Sequence, residues 1–197
     1  MFVTFEGLDG SGKSTQARLL AEALAAERRD VVATREPGGT EAGEQIRELI
    51  LSGPEIAPWT EAALFAAARA QLVEEVIAPG LARGADVICD RYLDSSLAYQ
   101  GIARDLGVDR ILELNLHAVR DLLPDRTFLV VVDPEAARER SHPSDRIERE
   151  GDKFAHAVYD AYVEIAEMFP KRIVTVDGSR PANEIAEQIH GRVRELP

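Results

Sequence analysis

A chain of 197 residues with 45% hydrophobic content is long enough for one well-buried α/β domain and needs no second. A net charge of −12 leaves no general basic face for nucleic acid, and no apolar run approaches the ~18 residues of a membrane span, so neither partner is expected. The N-terminus lacks a basic stretch with an apolar signal core, Cys89 has no second cysteine to pair with, and the histidines at 117, 142, 156 and 190 have no metal-ligand spacing, so a cytoplasmic protein without a zinc site is expected.

The first apolar run, 2–6, leads into GLDGSGKS (Gly7 to Ser14), and an amphipathic helical pattern over 14–28 follows. The eight residues match G-x-x-x-x-G-K-[ST] in full and lie between strand and helix, where that motif works. Gly7, Gly10 and Gly12 let the backbone turn its N–H groups inward around an anion, with Leu8, Asp9, Ser11 and Thr15 completing the loop. Lys13 brings a point charge to the outer phosphates, the Ser14 hydroxyl is placed for Mg2+, and the helix directs its positive dipole end at the same spot.

The second strand, 31–34, is followed by REPGGT (35–40), where Pro37 and two glycines impose a tight turn before a helix over 41–51. A helix over 60–82 contains AALFAAARAQLVEEVIAPGLA, apolar round more of its circumference than one buried face requires. Either a second copy of the chain covers it or it lies wholly inside a monomer. The third strand, 85–89, holds Cys89 as a small buried residue and ends on Asp90, Arg91 and Tyr92. An acidic residue closing a strand beside such a loop is placed to hold Mg2+ directly or through water, and Arg91 next to it supplies phosphate-binding charge; a surface ion pair is the plainer alternative.

A helix over 108–120 precedes the fourth strand, 127–132, and Asp133 competes with Asp90 for the metal role. Asp90 is preferred, because Asp133-Pro134 reads well as a helix start. RERSHPSDRIERE (138–150) then gathers Arg138, Arg140, Arg146 and Arg149 around Pro143. Such a run is usually a solvated helix face, but beside a phosphate-binding loop it fits a short mobile lid over about 138–150 whose arginines neutralise transition-state charge. Helices over 153–168 and 182–195 flank the last strand, 172–176. Continuous apolar strands alternating with long helices predict one α/β domain over 1–197, a three-layer P-loop NTPase fold whose five-stranded parallel sheet is flanked by helices and collects ligands at the strands' carboxyl ends.

The segments FEGLDGSGKSTQ, TREPGGTEAGEQIRELIL, LFAAARAQLVEEVIAPGLARG, ICDRYLDSSLAYQG and DRIERE follow one another in an order and spacing that resembles the thymidylate kinase family over nearly the whole chain. The resemblance implies ATP as phosphoryl donor with Mg2+, dTMP as acceptor, a role in dTTP synthesis and a homodimer formed through helices. By the same resemblance, Asp9 organises Mg2+ and the acceptor phosphate, and Glu36 and Pro37, joined by a cis peptide, shape the acceptor pocket. Arg47 and Arg91 resemble clamps for the dTMP phosphate, Phe65 the aromatic that stacks on thymine, and Arg69 the residue that bonds its carbonyl. Residues 65 and 69 share a helix face and so can serve one base, although Phe65 read alone is a core aromatic. Ser96 and Gln100 match polar pocket positions, and Tyr99 matches the tyrosine that crowds the sugar 2′ position.

Two features depart from the family pattern. Gly10 stands where some members carry an arginine, and Arg138 and Arg140 are followed by Ser141-His142-Pro143 where a third alternate arginine is common. Catalytic charge is therefore expected from Asp9, Lys13, Arg91 and a lid arginine, Arg140 in preference to Arg146, with Arg138 on the nucleotide. The alternatives are another P-loop nucleoside or nucleotide kinase and, from a different class, a P-loop switch protein.

Overall fold

A computed structural model describes residues 1–141 and 145–196, Glu148 by its backbone alone. Its five strands are β1 (Phe2–Glu6), β2 (Val31–Arg35), β3 (Asp86–Asp90), β4 (Arg126–Val131) and β5 (Ile173–Asp177). All neighbours pair in parallel, in the order β2-β3-β1-β4-β5, which is the predicted five-stranded sheet. β1 is central and buried at every position. Pairing of Phe5 with Asp90 sets the ends of β1 and β3 side by side, and the chain order reverses there, the place where ligands collect in open α/β sheets.

Strand alternation divides the core. Val3 and Phe5 of β1 face α1 (Lys13–Ala26) and α9 (Ala182–Val193), packing with Leu20, Leu24, Ile185 and Ile189. Phe2 faces the other layer, formed by α3 (Pro58–Leu72), α6 (Val108–Val119) and α8 (Asp152–Met168) through Leu72, Ile111, Val119, Val158 and Ile165. Thr4 and Glu6 share the face of Phe2, so a polar seam runs into this second layer. Thr4 and Thr127 hydroxyls bond at 2.7 Å, Thr127 donates to Asp94 at 3.2 Å, and Arg172 donates to both Asp94 oxygens, at 2.5 and 2.7 Å.

Three helical regions differ from the sequence reading or sharpen it. The helix expected over 60–82 is α3, a π-helical turn over Val73–Ile77 and α4 (Ala78–Ala82); the irregular turn lies just before Pro79, which has no N–H to continue the ladder. Helix α2 (Glu41–Ser52) starts where Thr40 accepts from the Gly43 N–H at 3.0 Å, and α7 (Pro134–Arg140) starts at Asp133, which accepts from the Glu135 and Ala136 N–H groups. Residues 93–103 form a helix that was not expected, α5 (Leu93–Ser96) continued by a π-helical stretch over Leu97–Ala103. Its start has a remote cap: Glu6 Oε1 accepts from the Tyr92 N–H at 2.8 Å and the Ser95 N–H at 3.2 Å. Among the described residues, no helix is long and apolar enough to cross a membrane.

The Asp94–Arg172 pair is buried enough that the partner left behind should suffer. Asp94 is 1% exposed, and its removal strands a guanidinium with few routes to water. Asp94→Ala is expected to lower unfolding stability in urea by about 3 kcal/mol. A loss below about 1 kcal/mol would mean that Arg172 finds another partner.

Candidate active site

The loop after β1 and the turn after β3 meet at one carboxylate. Asp9 Oδ1 accepts from Lys13 Nζ at 2.7 Å and from Arg91 NH2 at 2.8 Å. Burial alone would raise the Asp9 pKa, but Arg91 and Lys13 hold it well below the usual carboxylate range. The Lys13 ammonium is pushed below its ordinary value by burial and by Arg91, with Asp9 and Asp90 opposing. Two cations against one anion leave this corner suited to phosphate.

Arg91 holds its position against backbone preference. Its φ of 70° lies in the left-handed region, which costs a non-glycine residue ~1 kcal/mol or more. The turn is secured on both sides, by the Arg91 N–H donating to the Phe5 carbonyl at 2.8 Å and by Glu6 taking the next N–H. The guanidinium donates to the Ser95 and Tyr162 hydroxyls at 3.1 and 3.0 Å. Both hydroxyls in turn donate to Glu6 Oε2, at 2.5 and 2.9 Å, and the guanidinium carbon lies 5.4 Å from the Tyr99 ring centroid. Glu6 thus supports Arg91 from below. Burial and Asp94 push its pKa up to about 7, against Arg91, Ser95 and the Tyr92 N–H.

A cleft of about 270 Å³ opens beside this corner. It brings together Asp9, Lys13, Ser14, Glu36, Pro37, Arg47, Phe65, Asp90, Arg91, Ser96, Tyr99 and Gln100, twelve of the positions singled out from sequence. The Glu36–Pro37 peptide is cis, and Arg47 donates to the Pro37 carbonyl at 2.9 Å. Phe65 is half-buried in the wall. Arg69 does not reach the cleft surface. It is 1% exposed and spends its donors on Glu36, Ser96, the Tyr92 carbonyl and Asn115, so a bond to a base would require one of these to be given up. Glu36 Oε2 accepts from Arg69 while its buried Oε1 has no partner among the described residues, its pKa raised by burial against Arg69.

Asp90 Oδ1 is likewise buried with no partner among the described residues, and Asp90 and the exposed Ser14 both line the cleft. Oxygen donors of this kind fit a hard divalent cation, which needs only one or two carboxylates when a ligand's phosphates supply the rest. Among the described residues, no group of three or more His, Cys, Asp or Glu could hold a metal by itself. Cys89 is buried, as expected, its pKa raised chiefly by burial.

The lid arginines separate. His142 and Pro143 lie outside the described residues. Helix α7 rests directly on the loop after β1: a Cβ at Gly10 would sit 2.0 Å from the Ala137 carbonyl, so no arginine fits there with α7 in this position. Arg140 donates to the Gly178 carbonyl at 3.1 Å, and a Cβ at Gly178 would lie 2.9 Å from the Ser11 carbonyl, so the partner of Arg140 is beside the phosphate loop. Arg138 pairs with Asp152 of α8 at the surface and lines a neighbouring cavity of about 330 Å³ between α7 and α8 that reaches Asp9 and Tyr99. Arg146 is held by partners outside the loop. It donates to the Ile50 carbonyl at 3.0 Å and to Glu61 at 2.5 Å, an anchor between α2 and α3, and like Arg140 it does not line the cleft, so a catalytic role for Arg146 would require these bonds to be given up.

Sequence reading missed Glu6, Arg35, Glu61, Ser95 and Tyr162. Arg35 lines the cleft and pairs with Glu44 at 3.0 Å, and its place ahead of Glu36-Pro37 was a usable signal. The others act through partners distant in sequence.

A family model described as thymidylate kinase matches residues 5–189. The chain is 46% identical over 202 residues to the thymidylate kinase of Bifidobacterium longum strain NCC 2705, covering 100% of this chain and 98% of that one. It is 48% identical over 201 residues to the thymidylate kinase of Clavibacter michiganensis subsp. michiganensis, covering 100% and 95%. The crystal structure of thymidylate kinase from Ehrlichia chaffeensis superposes with a TM-score of 0.82 at 34% identity over 98% of both chains.

The buried Glu6 gives the site a pH signature. Its folded pKa lies above its unfolded value, so the stability it contributes is full below about 4.5 and is lost as pH rises through about 7. Glu6→Gln removes this titration. Chemical denaturation across that window should show a shallower decline for the variant than for the wild type; parallel declines would mean that Glu6 titrates normally.

Proposed function

The chain belongs to the thymidylate kinase family and is an ATP-dependent dTMP kinase of dTTP synthesis, and from that premise we propose how its own residues divide the reaction. The ATP phosphates lie in the loop Gly7–Thr15 around Lys13. The dTMP phosphate lies against Arg91 and Arg47, thymine stacks on Phe65 with Ser96 and Gln100 at its edge, and Tyr99 crowds the sugar. Asp9 between Lys13 and Arg91 is the observation that carries this division, because it ties a donor-side cation and an acceptor-side cation to one carboxylate at 2.7 and 2.8 Å. An acceptor phosphate oxygen forms a bond to the γ-phosphorus as the bond from that phosphorus to the β,γ-bridging oxygen breaks, releasing ADP and dTDP. Lys13, Arg91 and Arg140 neutralise the equatorial oxygens, and no side chain becomes covalently attached.

Asp90 and Ser14, with Asp9 at the edge, are the residues that would hold Mg2+, and when bound there it would supply charge neutralisation to the phosphates. We place the enzyme in the cytoplasm as a homodimer. The exposed Ala63 and Ala67 on α3 support close helix contact between two copies. A P-loop switch is not favoured, since it has no use for a second cleft carrying Arg47, Phe65 and Tyr99 beside the phosphate loop.

A coupled assay of ADP release with and without dTMP tests the assignment: strong acceptor dependence is expected, and turnover indifferent to dTMP would overturn it. Lys13→Ala should lower turnover by about two orders of magnitude or more in a folded protein. Arg140→Ala should lower turnover more than about tenfold, or 1.4 kcal/mol of barrier, with the KM for dTMP nearly unchanged. Arg146→Ala should instead lower the melting temperature. A reversed pattern would move the catalytic charge to Arg146.

A further inference from the structure

Glu61, in the first turn of α3, is a buried carboxylate that joins three separate segments. It is 1% exposed and accepts from Gln100 Nε2 at 2.9 Å, from Arg104 Nε and NH2 at 3.2 Å each, and from Arg146 NH2 at 2.5 Å. Burial alone would raise its pKa, but the hydrogen bonds from Arg146, Gln100 and Arg104 outweigh burial and keep it ionised. An ionised carboxylate can only accept. The end of the Gln100 amide that faces Glu61 must therefore be the NH2 group, whichever way an amide might otherwise be turned.

The other end of that amide is the consequence. Gln100 is 1% exposed, lines the acceptor cleft, and its Oε1 accepts no hydrogen bond from the described residues. Turning the amide over would set its oxygen against the Glu61 carboxylate, two acceptors face to face in a buried site. The cleft is thus presented with a fixed acceptor at position 100. A pyrimidine carrying a ring N–H can satisfy it, while one with a bare ring nitrogen at the same place leaves two acceptors opposed.

We propose that Glu61 is a specificity-determining residue, which by holding the Gln100 amide with its oxygen toward the cleft makes the acceptor pocket select thymine, with its N3–H, over cytosine. The inference rests on the dTMP kinase reading and on the side of that pocket formed by Gln100. Glu61 acts through Gln100 and touches no substrate itself. Its bonds to Arg104 and Arg146 serve the same end, because they keep it charged and leave only its acceptor capacity for the amide.

Glu61→Gln tests this, since a glutamine there can donate as well as accept and so permits the Gln100 amide to turn. The expected result is a fall of at least about tenfold in the ratio of kcat/KM for dTMP to that for dCMP. The ratio for dTMP to dUMP should stay within about twofold, because uracil keeps the N3–H. A purely structural role would lower all three substrates together, and an unchanged dTMP to dCMP ratio in a folded, active variant overturns the inference alone. A wild-type enzyme with no dTMP-dependent turnover overturns the functional reading and the inference with it. Should Glu61→Gln fail to fold, NMR of the wild type labelled with [15N]glutamine decides. The Gln100 NH2 protons should be protected from solvent exchange both free and saturated with dTMP, and rapid exchange, or a turn of the amide toward the base on binding, overturns the proposal.

Discussion

One carboxylate held between two cations organises this enzyme. Asp9 comes from the loop after β1, Lys13 from the first turn of α1 and Arg91 from the end of β3, and the parallel pairing of β1 with β3 brings all three to one corner. The excess positive charge is small and local, within a protein whose net charge is −12. That contrast is useful for a small anionic substrate. A cluster of fixed donors in a partly desolvated corner binds phosphate strongly, while the acidic surface gives no general affinity for polyanions.

The cluster is held by polar contacts that continue into the core. Glu6 receives two N–H groups of the Tyr92–Ser95 turn and the hydroxyls of Ser95 and Tyr162, which themselves receive Arg91. On the same face, Thr4, Thr127, Asp94 and Arg172 extend the seam beneath β1 and β4. Positive φ at Arg91 is sustained because the surrounding hydrogen bonds leave the turn no easier conformation. Binding chemistry and fold stability therefore draw on the same buried groups. The cleft wall is similarly built, with Arg69 behind it tying Glu36 to Ser96 and Asn115, and with Glu61 tying Gln100 to Arg146.

What could be read from sequence was what depends on neighbours along the chain. Strand β1, the phosphate loop, the helix start at Asp133-Pro134 and the tight REPGGT turn each declare themselves within a few residues, through apolar runs, glycine spacing or proline. Helix α5 and its π-helical continuation did not, because their cap is Glu6, 89 residues before Ser95, and LDSSLAYQG by itself looks like a polar turn. Arg146 reads from sequence as a lid cation because its partner, Glu61, lies 85 residues earlier on another helix. The resemblance supplied the identities of Phe65 and Tyr99, whose place in the cleft no local pattern announces.

A double-mutant cycle between Asp9 and Arg91 probes the shared carboxylate most directly. Asp9→Asn, Arg91→Lys and the double variant would be compared by kcat/KM for dTMP at saturating ATP. If the two side chains act as one unit, the losses are strongly non-additive, with the double variant better by at least about tenfold than the product of the single losses, a coupling of about 1.4 kcal/mol. Losses that simply multiply would show that Asp9 and Arg91 act independently and would contradict a site organised around their contact.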